Sequence, residues 1–213
     1  MYKIMIASSF ILGLPTAAYL QKRKNVPLNI IGLSVALEIP LCLYMAVLMT
    51  FLLSKGKNIG LNSTGAALGM LLGAIIFSKI TPQYKKEFFI SYEIILPLMY
   101  GLGKIGCACA GCCAGIPYNG LFRVHTKNGE AFPIQKLEAI VFLLLFAVSI
   151  VLYFKKRFNP LVAAIVYSTT KIVLDFLRAS HIGHVITSNQ IMCAVVMAVF
   201  VLIIYKEQFY IKD

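Results

Sequence analysis

Seven apolar stretches run along the chain, at about 4–20, 28–53, 60–80, 88–108, 134–154, 160–178 and 186–205, separated by charges, prolines and polar loops. A helix needs ~20 apolar residues to cross ~30 Å of hydrocarbon, so the pattern predicts about seven transmembrane helices in an all-α, polytopic membrane protein. Little else fits into 213 residues, and 1–213 reads as a single transmembrane domain. Lys3 alone precedes the first stretch, and Lys22, Arg23 and Lys24 follow it at once. A signal peptide carries its charge ahead of the apolar run and small residues behind it, so this segment is expected to be a retained helix. Pro40, after Glu38 and Ile39, predicts a kink in the second helix. Gly69 and Gly73, four residues apart in the third, predict close helix approach.

Composition agrees with this reading. The chain is 60% hydrophobic and 13% charged, where soluble domains hold about half and a quarter. Tyr2, Tyr19, Tyr100, Tyr153, Tyr205 and Tyr210 stand near segment ends as an aromatic belt in a chain without Trp. A net charge of +12 would suggest a nucleic-acid partner in a soluble protein; here basic residues flanking helices account for it, and no nucleic acid is expected. Lys22, Arg23, Lys24, Lys79, Lys85, Lys86, Lys155, Lys156, Arg157, Lys206 and Lys212 fall on the side of the C-terminus. The other side has Lys3, Lys55, Lys57, Arg123, Lys127, Lys136 and Arg178. The excess on the first side predicts an outside N-terminus and an inside C-terminus.

Charges within apolar segments need a partner or a task, because each costs ~2.5–3.5 kcal/mol at the bilayer centre on insertion scales. Glu38, Glu93, Lys104, Glu138, Lys171 and Asp175 are such charges, with Arg178 at a helix end. Lys171, Asp175 and Arg178, at i, i+4 and i+7, are expected on one helix face; Gln135 and Glu138 share another. The simplest geometry gathers these residues into one polar cavity whose cations would suit a lipid phosphate. A structural ion-pair network without ligand is the plainer alternative.

Lys104 leads into the densest cysteine run, Cys107, Cys109, Cys112 and Cys113, interleaved with Gly106, Gly111 and Gly115. This reads as a membrane helix ending in a tight turn. Zinc or copper is conceivable at that density, but no histidine follows at finger-like spacing and Cys112 and Cys113 are adjacent. A redox role is also open. Packing as small apolar side chains is the simpler reading, and no metal is assigned. His125, in a long loop over 109–132 with Tyr118, Asn119, Arg123, Lys127 and Glu130, is the nearest candidate base for a cysteine nucleophile. His181 and His184 read as solvated loop residues.

Taken in order, these motifs resemble the prolipoprotein diacylglyceryl transferase family, polytopic enzymes of the bacterial inner membrane. The family signature, Gly-Arg-Ile-Gly-Asn ending in glycine, is matched by Gly103-Lys104-Ile105-Gly106-Cys107 through Gly115, a variant rich in Gly-Cys-Cys. Its Pro-x-Gln-x-x-Glu motif is Pro133 to Glu138, and its Arg-x3-Glu-x2-Arg helix is Lys171-x3-Asp175-x2-Arg178. Gln190 matches the glutamine opening the seventh helix, and Tyr2 a tyrosine opening the first. The resemblance spans nearly the whole chain. The chain departs from the family at its histidine, which is Thr64, followed by Gly65, and at its signature arginine, asparagine and glutamate, which are Lys104, Cys107 and Cys112.

The resemblance implies transfer of diacylglycerol from phosphatidylglycerol to the lipobox cysteine of a lipoprotein precursor, in the bacterial cytoplasmic membrane and without cofactor. It implies a phosphate held by Lys104, Lys171 and Arg178, with Glu138 and Asp175 orienting them. Tyr2, Thr64, Gly65, Cys107, Cys112, Gly115, Gln135 and Gln190 would line the substrate site. The departures leave two alternatives open: transfer from a phospholipid to another acceptor, or a non-catalytic relative that binds lipid or peptide.

Overall fold

The computed structural model describes residues 1–126 and 129–210, so Lys127 and Lys212 lie outside the described residues. Its α-helices are α1 (Tyr2–Lys22), α2 (Leu28–Leu53), α3 (Ser63–Ile80), α4 (Lys85–Ala110), α5 (Ile134–Phe154), α6 (Pro160–Asp175) and α7 (Ser188–Tyr210). The first five are long and apolar enough to cross a membrane. At 16 residues, α6 rises ~24 Å, short of the ~30 Å core, and the apolar described part of α7 is Ser188–Val199. Five of the seven expected spans are therefore met on length and composition.

Local chemistry explains where the boundaries moved. The third helix starts at Ser63 rather than 60 because the Asn62 side chain accepts the N–H groups of Thr64 and Gly65, both at 2.9 Å. Asn159 caps α6 in the same way, accepting from Leu161 at 2.9 Å, with Pro160 in the first turn. α2 continues as one helix through Pro40. The loop at 109–132 carries an element that hydropathy did not predict. β1 (Val124–Thr126) pairs antiparallel with β2 (Gly129–Ala131), with Val124 opposite Ala131.

Contacts divide the chain into two compact units, residues 3–103 and residues 1–2 with 104–213. In the first, Leu14 and Ala17 of α1, Ile31 and Cys42 of α2, Met70, Ala74 and Phe77 of α3, and Phe88, Tyr92 and Ile95 of α4 form one core. Phe77 meets Phe88 edge-on at 4.8 Å between ring centroids. Buried hydroxyls and amides are paired across helices: Gln21 donates to Ser91 at 2.8 Å, and Ser34 and Tyr92 share a bond of 2.8 Å.

The glycines of α3 set its distance from α2. A Cβ at Gly69 would stand 2.5 Å from the Leu41 carbonyl oxygen, and one at Gly65 2.6 Å from that of Met45. One turn further on, a Cβ at Gly73 would meet Glu38 Oε2 at 2.5 Å. The missing side chain there is what makes room for a buried carboxylate, whose oxygens have no hydrogen-bond partner among the described residues. The second unit holds the last turns of α4, the hairpin, and α5, α6 and α7. In it Ser149 of α5 and Tyr167 of α6 share a buried hydrogen bond of 2.5 Å.

Because backbone, and not a flexible side chain, faces Gly69, replacing it by leucine must separate α2 from α3. Gly69→Leu is expected to destabilise the protein by about 1–3 kcal/mol, the usual cost of overpacking. Gly32→Leu, at a position with nothing within 4 Å of a Cβ, serves as the control. Thermal unfolding of both variants in detergent reads the difference.

Candidate active site: a buried ion cluster beside a cysteine turn

Everything in this site belongs to the unit of residues 1–2 and 104–213. α4 ends where Gly111 takes a left-handed φ of 66°. The Gly111 N–H then bonds the Ala108 carbonyl at 3.3 Å, and the Cys112 N–H reaches back to Cys107 at 3.2 Å. This double closure satisfies carbonyls that a helix end leaves open. Cys113 is also left-handed, with φ 58°. From there the chain runs extended, the Ile116 N–H bonding Leu177 at 3.1 Å and the Ala179 N–H bonding Ala114 at 3.0 Å. Gly115 is enclosed between Phe132 and Leu177. A Cβ there would collide with the Phe132 carbonyl oxygen and lie 3.0 Å from that of Leu177.

The segment after α6 is thereby held against the segment after α4. Arg178 is not on the helix, as the i, i+4, i+7 spacing predicted. α6 stops at Asp175, and Arg178 sits in extended backbone at φ −93°, ψ 145°. Its guanidinium nevertheless joins Lys171 and Asp175, because the bridge to Gly115 turns it back toward α5.

Glu138, fully buried in α5, is the centre. Arg178 donates Nη2 to Oε2 at 2.6 Å and Nε to Oε1 at 3.3 Å. Lys104 Nζ lies 3.3 Å from Oε2 and Lys171 Nζ 3.4 Å from Oε1. Asp175 Oδ1 is 3.3 Å from Lys171 Nζ and 3.5 Å from Arg178 Nε. All five side chains are at least nine-tenths buried. Within this cluster three basic side chains converge on two carboxylates.

The surrounding side chains fix this cluster. Gln135, one helical turn before Glu138, donates its amide to the Cys112 carbonyl at 2.6 Å and so ties α5 to the cysteine turn. Gln190 acts through Thr187. The Gln190 side chain accepts the Thr187 N–H at 2.9 Å, and the Thr187 hydroxyl accepts the Gln190 N–H at 3.2 Å, a reciprocal cap at the start of α7. The same hydroxyl donates to Asp175 Oδ2. Thr187 is a site residue that motif reading missed, although Thr-x-x-Gln before an apolar run was its signal.

Cys107, Cys112 and Cys113 bring their sulfurs within 4.8 Å of one another, in electrostatic reach of Tyr2; Cys109 is exposed and not among them. The Cys113 thiol is lowered from its ordinary value, first by a hydrogen bond from the Cys107 thiol and then by the cations of Lys104 and Arg178. His125 does not serve this turn; its ring pairs with Glu130 at 2.9 Å on the hairpin. His181 is not simply solvated, since its ring lies on Phe176 at 4.5 Å. Thr64, Gly65, Glu38 and Glu93 belong to the other unit.

Removing the hub leaves three cations facing one carboxylate. Glu138→Gln is expected to lower stability by about 3–5 kcal/mol, the cost of breaking a buried pair. Glu130→Gln, on a pair with the half-exposed Arg123, should stay within about 1 kcal/mol of wild type. Paired thermal melts give the comparison.

A family model described as prolipoprotein diacylglyceryl transferase matches residues 1–206. No curated protein matches the chain.

Proposed function

The chain belongs to the prolipoprotein diacylglyceryl transferase family, and from that premise we propose that it moves diacylglycerol from a phosphatidylglycerol-like lipid to a lipobox cysteine. The acceptor would lie in the signal peptide of a lipoprotein precursor, at a bacterial cytoplasmic membrane. The observation that carries this reading is the convergence of three buried basic side chains, Lys104, Lys171 and Arg178, on Glu138. Basic groups gathered at one point are what a lipid phosphate needs.

The proposed chemistry needs little beyond that field. The acceptor sulfur, ionised with its proton released to water, attacks the glycerol carbon that bears the phosphate ester. A carbon–sulfur bond forms as the carbon–oxygen bond breaks, and the electron pair leaves on the departing glycerol phosphate. Lys104, Lys171 and Arg178 stabilise the charge that grows there. The same cations favour the thiolate of an incoming cysteine, as they do that of Cys113. Glu138 and Asp175 hold the cations in place, Thr187 and Gln190 brace Asp175, and Gln135 and Gly115 keep the turn closed.

One observation favours a second reading. Thr64, where the family has histidine, cannot take a proton as histidine does, which suits a relative that binds lipid or peptide without turnover.

Purified protein incubated with phosphatidylglycerol and a lipobox peptide should yield a thioether-linked diacylglyceryl peptide by mass spectrometry. Lys171→Met and Arg178→Lys should each reduce turnover ~10²–10³-fold, the range for losing one transition-state donor. Arg178→Lys keeps the charge that Glu138 needs and loses only the fork. Absence of product beside an active homologue, with lipid still bound, would favour the second reading.

A further inference from the structure

The three clustered thiols are not used by the chemistry above, and their arrangement points to a ligand. We propose that Cys107, Cys112 and Cys113 form a three-sulfur site for a soft, thiophilic metal ion, copper(I) in particular.

The backbone is what builds it. Neighbouring residues in extended chain send their side chains apart, so Cys112 and Cys113 would not ordinarily meet on one atom. Here the helix-ending turn at Gly111 and the left-handed Cys113 place both sulfurs, with that of Cys107 five residues back, within 4.8 Å of one another. At a metal–sulfur distance of ~2.3 Å, sulfurs around a trigonal ion stand ~4 Å apart. Closing onto an ion thus asks for shifts below about 1 Å, within the reach of side-chain rotation. The turn itself is held on both sides, by the Cys112 N–H on Cys107 and by the Gln135 amide on the Cys112 carbonyl.

The donor set selects the ion. Three sulfurs with no imidazole or carboxylate among them suit soft ions. Structural zinc almost always takes four ligands, whereas this group offers three. Three thiolates around a monovalent ion carry two negative charges in excess, and Lys104 stands one helical turn before Cys107 at the same helix end. A cationic surround is what such a site needs.

The test uses the full-length protein, reduced and held without oxygen in detergent. Copper(I) is supplied from a competing chelator of known affinity, and X-ray absorption reads the bound ion. One copper(I) per chain with three sulfur neighbours is the expected result. Cys112→Ser and Cys113→Ser should each weaken binding by more than the ~10–100-fold typical of losing an outer-shell partner, and Cys109→Ser should not. Should the serine variants fail to fold, wild-type protein decides the matter. Bound copper(I) should protect Cys112 and Cys113, but not Cys109, from alkylation mapped by mass spectrometry. Absence of uptake with all three thiols reduced, uptake insensitive to these cysteines, or equal alkylation with and without copper(I) would overturn the proposal.

Discussion

A carboxylate that loses all contact with water must be matched where it lies, and Glu138 is matched from three directions at once. Lys104 comes from the last turns of α4, Lys171 from α6, and Arg178 from the chain beyond α6. One side chain therefore ties together three segments that hydropathy alone would leave independent. Desolvating so many charges is costly, and the geometry recovers that cost only if every member stays in place. This is why the supporting contacts are polar and specific. Gln135 holds the cysteine turn, Thr187 holds Asp175, and Gly115 lets the two turns touch.

The short α6 belongs to the same logic. Were the helix to continue through Arg178, the strand-like pairing of Leu177 and Ala179 with Ala114 and Ile116 would be lost, since helical carbonyls point along the axis. Ending at Asp175 frees the backbone to bridge to Gly115 and sends Arg178 back toward α5. A helix too short to cross the membrane by itself is thus the condition for a bidentate arginine at the hub. Glu38 shows the contrast. It is nearly as buried as Glu138, yet its oxygens lie against Gly73 and have no hydrogen-bond partner among the described residues.

Much of this was legible in the residue pattern, and the omissions have physical reasons. Helices α1 to α5 follow directly from the apolar stretches, and the cap at Asn62 is the signal that shifts the start of α3. The charges that form the hub stood out because lysine and aspartate inside apolar runs are rare. Their spacing was misleading only at Arg178, because Leu174, Phe176 and Leu177 extend the apolar pattern past the true helix end. Three-residue strands such as Val124–Thr126 carry too little periodicity to read. The convergence of sulfurs could not be read at all, since it depends on the left-handed backbone of Cys113, which few residues other than glycine adopt. Nor could spacing show which basic groups gather on Glu138, because that is decided by tertiary contacts.

Lysine at position 104, where the family signature has arginine, also follows from the hub. A carboxylate offers about four lone-pair sites. Arg178 meets both oxygens with its fork, Lys171 lies beside Oε1 and Lys104 beside Oε2. A second guanidinium would bring another rigid fork to an acceptor already met by one. An ammonium is a point charge with rotatable donors, and it approaches Oε2 without demanding a second contact in the same plane. The step from Lys104 to Cys107 is one helical turn, so the residue that completes the carboxylate hub shares a helix face with the first of the thiols. Lys104 thus serves a carboxylate on one side and stands one helical turn from the first of the clustered sulfurs on the other.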